Sequence, residues 1–600
     1  MSVDDNRRGH NLGKSWYNAL HSAGTMMTRV VMIVVCAGLL GACSGSGEQG
    51  SNSVVPATTA ACDSIRINEV FFADDAAAGQ PWLELINIGS RAIDLDGFVL
   101  VTDQAQWRLP AARVTPGAVH VVRDIVSSNE PTRRFLGSHV SEISLVAADG
   151  VTVDRMRVPV VSPGESLSRH PNGTGDFYVY PPADVTLQAA NPDIGFIHKF
   201  ASGAEFQSRD SSTNAILRFQ DAYWILGGWS NFGGEDWQSY ADVWKSIDAL
   251  SWARISASPP YSPYYSFVVW DGRMWAIGQS SFSSPDGVSW TPENLQVPTP
   301  NRSALLGDRL ITIFGSTVIA TTDGKSWSTL TQDAPWGAGR VHTSALVFRD
   351  RIWVIGGVSG YGSADQVVHN DVWSSPDGIV WDLVTPNAAW TPRTWVSAAV
   401  YDDKIFIVNG SSMDYDSENY GNHAEIWFSE DGSKWLQLKS ERIWDARHAS
   451  FIVPDDAQQG LLLIAGYSGG GLPGIHSDAW LVQVKLYFPK AGGPLYKLST
   501  WGKNFDGTGP SPTSFSGDRQ VFVLRNRASF KMNEKWAVSG AGSRILVGDG
   551  DPSHPVVVRA LATHRSPPQP VYLNSNSTLI IQGKSPDIKF QDPGAIVLRP

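Results

Sequence analysis

Past residue 62 the sequence has no cysteine: its three, Cys36, Cys43 and Cys62, all stand before the folded part begins. Nothing downstream can therefore hold a disulfide, a thiolate metal site or a cysteine nucleophile. Charge is scarce as well. Asp, Glu, Lys and Arg make up 18% of the chain, with no long acidic or basic tail, and the net charge is -11. A nucleic-acid binder needs a basic face to neutralise phosphates, so no nucleic-acid partner is expected. The apolar run from Val30 to Leu40 is too short to cross a bilayer. Nor is there a GxSxG elbow, an HExxH pair, a P-loop or a dinucleotide fingerprint in a strand and helix context that would suit it. The histidines His342, His369, His423, His448 and His476 are scattered, without a second ligand at metal spacing, and read as surface or turn residues. No catalytic residue, metal ligand or cofactor is assigned.

What the chain does have is tryptophan, 24 of them in 600 residues. That length, at roughly 100 to 200 residues per domain, implies three or four packed domains. The N-terminal part is of another kind. Arg29 precedes the apolar run, and Leu40-Gly41-Ala42-Cys43 resembles the bacterial lipobox, which implies a signal segment over 1–43 and lipid on Cys43. Residues 44–61 are rich in Ser, Gly and Thr and read as a flexible tether. Ser44 after the lipidated cysteine resembles the pattern of outer-membrane lipoproteins, so the expected location is a bacterial outer membrane or cell surface, reached through the lipid.

Residues 62–193 carry short alternating runs, IRINEVFF from Ile65, WLELINIG from Trp82 and IDLDGFVLV from Ile93, divided by Asp, Gly and Pro turns. Period-two alternation at that spacing predicts an antiparallel β-sandwich. With WRLP at Trp107, SLVAADGVTVD at Ser144, GESLSRHPNGTGDF at Gly164 and AANP at Ala189, the stretch resembles the lamin-tail domain, which implies an immunoglobulin-like sandwich serving as an accessory module. Trp82, Glu84 and Asn87 fall in the alternation of a sandwich strand and read as structural.

Residues 194–486 repeat themselves. SIDALSW at Ser246, SPDGVSW at Ser284, TTDGKSW at Thr321, SPDGIVW at Ser375 and SEDGSKW at Ser429 are variants of one turn. Upstream of each lies an apolar strand ending in glycine, such as YWILGG at Tyr223 or IWVIGG at Ile352, and a sixth, LLLIAG at Leu461, has no such turn after it. Units of four short strands, recurring at roughly 40 to 55 residues, predict a six-bladed β-propeller. In each turn the Asp carboxylate accepts backbone N–H groups and the Trp packs between blades, and the Gly, replaced by Ala249 in the first copy, supplies a positive φ. The sixth unit lacks an outer strand, which GFIHKF at Gly195 could supply and so close the ring. The units resemble kelch propellers of the galactose-oxidase type and, more loosely, the Asp-box of sialidases. The copper chemistry of galactose oxidase needs a cysteine that is missing here. Residues 487–600 show short strands with Gly, Asp and Ser turns and resemble a small parallel β-solenoid; Asp549 and Asp551 read as a solvated turn. The fold class expected is all-β and multidomain.

Two sets of residues are candidates for binding. Arg209, Arg302, Arg340, Arg393 and Arg447 stand just before the first strand of five units, where they either converge on the channel as an anion trap or bond the backbone of the next blade. Trp229, Trp237, Tyr361, Tyr415 and Tyr420 lie in loops between second and third strands, together with carboxylates and amides, a mixture that suits sugar rings or protein hot spots. The expected function is a surface lipoprotein that binds a glycan or an extracellular protein without catalysis; a sialidase-like or mutarotase-like enzyme and a structural scaffold are the alternatives.

Overall fold

The structure is a computed structural model. It describes residues 64–72, 80–103, 105–123, 140–193, 195–211, 215–230, 238–414, 420–440, 442–469 and 474–524, then 538, 540–547 and the strand segments 529–532, 557–562, 571–573, 578–583, 588–590 and 596–598. Cys43, the tether, residues 549–551, Trp237 and Tyr415 lie outside the described residues. The fold is all-β and multidomain. Among the described residues helix is confined to two 3-10 turns, Pro182–Asp184 and Leu498–Thr500.

The first module is a sandwich. A five-stranded sheet, ordered Asp176–Tyr180, Ser166–His170, Ile65–Phe71, Trp82–Asn87, Val119–Arg123, faces a four-stranded one built on Val99–Thr102 and Glu142–Val146. Alternation puts Ile65, Ile67, Leu83 and Leu85 from one sheet against Leu100, Trp107, Ile143 and Leu145 from the other, all buried. The outer side of the larger sheet is buried too. There Glu69 and Glu84 stand opposite each other in the ladder, and Thr186 and Gln188 donate to their carboxylates from the covering loop.

Six four-stranded antiparallel sheets follow as blades 1 to 6. Blade 4 is representative: Ser344–Phe348 innermost, then Arg351–Ile355, Val372–Ser375 and Asp382–Thr385. The second strand of each blade is apolar on both faces because it is sandwiched between neighbours. The repeated turn works as its sequence requires. Asp377 Oδ1 accepts from the N–H of Ile379 at 2.8 Å and of Val380 at 3.0 Å, and Trp381 Nε1 donates to the Gly378 carbonyl at 3.2 Å. In blade 3 the N–H groups of Ser326 and Lys325 hold the Asp323 carboxyl down at about 2. The glycine has a second reason besides φ: a Cβ on Gly324 would stand 2.6 Å from the Trp275 ring of the preceding blade. Turn tryptophans meet an aromatic at the blade junction edge-on, Trp381 with Trp336 at 4.6 Å and Trp435 with Trp390 at 5.9 Å.

Blade 6 takes its outer strand from the front of the module. Ile197–Ala201 pairs antiparallel with Ile475–Val482, so the ends of the ring are joined by a strand ladder. The chain then runs into two parallel sheets whose strands alternate along the sequence, Lys485–Pro489, Gln520–Leu524 and Arg544–Val547 in one, Ser529–Met532 and Val557–Ala562 in the other, which makes a parallel solenoid. Phe196, Val484, Leu486, Phe488 and Val521 share one core with blades 5 and 6. All three modules meet at Tyr178 of the sandwich, whose hydroxyl donates to Gln483 Oε1 at 2.9 Å and accepts from Arg519 at 2.9 Å.

Candidate functional site: the propeller mouth

Four of the five repeated arginines build the same node. Arg209, Arg340, Arg393 and Arg447 pair with Asp242, Asp371, Glu425 and Asp478 at 2.6 to 2.7 Å; the first three carboxylates lie just before the third strand of the arginine's own blade and Asp478 lies within it. The tryptophan two residues on, Trp244, Trp373, Trp427 or Trp480, donates its indole N–H to the same carboxylate at 2.7 to 2.9 Å. In three of them the guanidinium also bonds the carbonyl at the strand-end turn, at Gly227, Asn409 or Ala465. The glycine that follows packs on the arginine stem; a Cβ on Gly410 or Gly466 would meet Arg393 or Arg447 Cδ at 3.0 Å, and both glycines have φ above +100°.

These four side chains are buried and neutralised, so they form no anion trap. They are also not tied by their guanidinium to the next blade. It is the arginine backbone that links blades, since the carbonyls of Arg393, Arg447 and Arg209 accept from Gly357, Gly410 and Gly466. The node fixes where the chain enters each innermost strand, and of the two residues that follow each arginine Asp210, Val341, His342, Trp395, His448 and Ala449 line the mouth. His342, Trp395 and Ala449 sit in the left-handed region, at φ of 54°, 51° and 54°. For a tryptophan this conformation is unfavourable and holds only where surroundings impose it. A ring of backbone bonds does so: Trp395 N–H to His342 O, Ala449 N–H to Trp395 O and Ser211 N–H to Ala449 O, at 3.0 to 3.2 Å.

Above this collar lies a cup of about 930 Å³. Its wall is a continuous aromatic belt. Tyr361 meets His342 edge-on at 4.9 Å, His342 meets Trp395 at 4.9 Å, Trp395 stacks on His448 at 4.8 Å, and His448 meets Tyr467 at 5.3 Å. Across the cup Trp229 stacks on Tyr264 at 4.9 Å. Tyr420 completes the lining, and the hairpin of Trp229–Ser230 with Gln238–Ser239 rises from blade 1 beside it. The polar groups are few. Asp210 is buried with Oδ1 unpaired, and burial raises its carboxyl well above the usual carboxylate range. Burial lowers His448 to about 3, and burial with the nearby Arg302 and His448 lowers His342 to about 3, so both imidazoles are neutral near pH 7. His448 Nδ1 bonds Asn422 Oδ1 at 2.6 Å, and Asn422 donates its amide to the Ser468 carbonyl, which sets Nδ1 as the donor and leaves Nε2 an acceptor.

The cup can therefore stack flat apolar faces and offer a neutral acid and neutral imidazoles to hydroxyl groups. Among the described residues no cluster of His, Cys, Asp or Glu is placed to hold a metal ion, and no helix is long and apolar enough to cross a membrane.

Residues 204–482 match the DUF6242 beta propeller domain. That range holds every strand of the ring except Ile197–Ala201, the outer strand of blade 6. Among solved structures, one titled "Structure of YjhT" is 14% identical, over 47% of this chain and 96% of that one, with a TM-score of 0.37. No curated protein matches the chain.

Of the residues expected from sequence, Trp229, Tyr361 and Tyr420 line the cup, and Arg302 lines the channel beneath it. His342 and His448, expected at the surface or in turns, are half-buried parts of the wall; His369, His423 and His476 are likewise packed beside the nodes, with His369 Nε2 on Ser359 Oγ at 2.9 Å. Sequence reasoning missed Asp210, Tyr264, Trp395 and Tyr467. The signal was present for two of them: Asp210 and Trp395 follow the repeated arginines by one and two residues.

Proposed function

We propose that the propeller mouth binds a glycan and leaves it chemically unchanged. The belt from Tyr361 through Trp395 to Tyr467 carries this reading. Flat aromatic faces suit the C–H faces of sugar rings, and a cup of this size, mostly apolar with a few convergent polar groups, is the usual form of a small-ligand site. A flat protein epitope could not reach a belt set inside a cup. Asp210 favours a second reading, in which a neutral carboxyl donates a proton to a bound glycan in a sialidase-like or mutarotase-like enzyme. The cup has no second carboxylate beside it in the described lining, which supports binding over double displacement.

The rest of the chain supports a surface role. We read the LGAC segment as a lipobox, with lipid on Cys43 holding the protein at a bacterial outer membrane. On this reading the lamin-tail-like sandwich is a spacer and the ring is kelch-like. Cys43→Ser should release the protein from membranes, and an unlipidated Cys43 in membrane-bound protein, seen by mass spectrometry, would refute the anchor.

Binding is tested on a glycan array with the full chain. Trp395→Ala should weaken the best ligand at least about tenfold. Equal binding by this variant, or no glycan bound by the parent, would overturn the reading; product formation that Asp210→Asn abolishes would establish the enzyme instead.

A further inference from the structure

Arg302 is the exception among the repeated arginines. It is the first residue of the innermost strand of blade 3, opposite Ile313 in the ladder. The same ladder position is held by Ser266 in blade 2, Ser344 in blade 4 and Ser397 in blade 5, opposite Ile277, Ile355 and Val408. One blade thus places a guanidinium where its neighbours place a hydroxyl. The channel they enclose is a cavity of about 80 Å³ under the collar of Trp395 and Ala449. Ser211, Ser266, Ser303, Ser344, Ser397 and Ser450 line it, and no Asp or Glu does.

Arg302 donates from Nε to the Thr343 carbonyl at 2.6 Å and from an Nη to the Asn301 carbonyl at 2.8 Å. Two of its five N–H groups are used, and among the described residues it makes no ion pair. Burial without a counter-charge pulls its guanidinium down to about 10. His342, the titratable group facing it from the collar, is neutral and offers no compensating charge. Arg302 is half-buried, and a cation held there without a counter-charge gains from any anion that reaches it.

We propose that the channel throat is an anion site, in which Arg302 and the surrounding serine hydroxyls hold a halide or a carboxylate. The cavity has room for a few water-sized groups and none for a sugar ring. A carboxylate there is either a free small anion or the acidic group of a ligand whose ring lies in the cup. The second source rests on the glycan reading; the first does not.

The test uses the full chain. Thermal unfolding is followed with chloride, bromide, acetate, glucuronate and, as neutral control, glucose, ionic strength being held by a sulfonate salt too bulky for the cavity. The parent midpoint should rise by about 5 °C at a hundredfold excess of anion over its dissociation constant. Arg302→Gln should abolish that dependence and Arg302→Lys weaken it. Crystals grown in bromide should show an anomalous peak within hydrogen-bond distance of Arg302. A glucuronate effect larger than that of acetate, and reduced to it by Trp395→Ala, would assign the anion to a cup ligand. Equal effects that survive Trp395→Ala would assign it to a free ion. Failure of the glycan array leaves the bromide result decisive. Absence of a throat peak, a peak elsewhere as an adventitious ion only, or the same anion dependence in Arg302→Gln would overturn the proposal.

Discussion

Arg447, Asp478 and Trp480 show how one residue type takes a structural or a ligand role by its position. Burial alone would raise the pKa of this carboxylate, but the charge and hydrogen bond of Arg447, with His476 and the Trp480 indole, together outweigh it and hold Asp478 below the usual carboxylate range. Removing one partner of such a pair leaves a charge buried alone, so Arg447→Ala should cost about 3 to 5 kcal/mol in urea unfolding. The double variant Arg447→Met with Asp478→Leu should recover most of that loss, because the second charge goes with the first. A single variant as stable as the parent would contradict the scaffold role. A depressed carboxylate contributes stability above its unfolded pKa near 3.9 and loses it as pH falls through the folded value. The Asp478 and Glu425 nodes, both lowered, therefore predict acid unfolding of the ring below about pH 4.

At the scale of the element, the central strands of the sandwich carry the opposite linkage. Burial, with repulsion from Glu69, raises Glu84 to about 7, and burial raises Glu69 as well. A group whose folded pKa is raised contributes stability below its unfolded value and loses it as pH climbs through the folded one. The sandwich should thus lose stability between about pH 4.5 and 7 while the propeller holds. Glu84→Gln should flatten that profile and raise the midpoint at pH 8, which calorimetry of the full chain would record as a separate transition. The repeated turn is the element most legible in sequence, because Asp377, Gly378 and Trp381 act within a few residues of one another. Only the neighbouring blade adds what local chemistry could not: the indole of Trp275 or Trp353 lying where a turn Cβ would be.

The whole ring depends on strands far apart in the chain. Ile197–Ala201 completes blade 6, and the blades share apolar cores with the blades beside them. Excising residues 340–392, one repeat, should unfold the region from 197 to 482 as a unit, since the remaining blades cannot close at the same angle. A soluble five-bladed product resistant to protease would contradict that cooperativity.

Strand period, turn chemistry and the spacing of the units determined the all-β class and the number of blades, because each is written in residues near one another. The missing outer strand of the sixth unit even pointed to GFIHKF as its donor. The function of the arginines was not legible: the carboxylate that each of four nodes uses lies about thirty residues further on, and a guanidinium before a strand looks the same whether its partner is a protein carboxylate or a ligand. Tertiary structure alone decided that Arg209, Arg340, Arg393 and Arg447 are scaffold and that Arg302, displaced along its strand, lines the channel. It alone assembled the cup, because Asp210, Tyr264, His342, Trp395, His448 and Tyr467 come from several blades and become neighbours only when the ring closes about one axis.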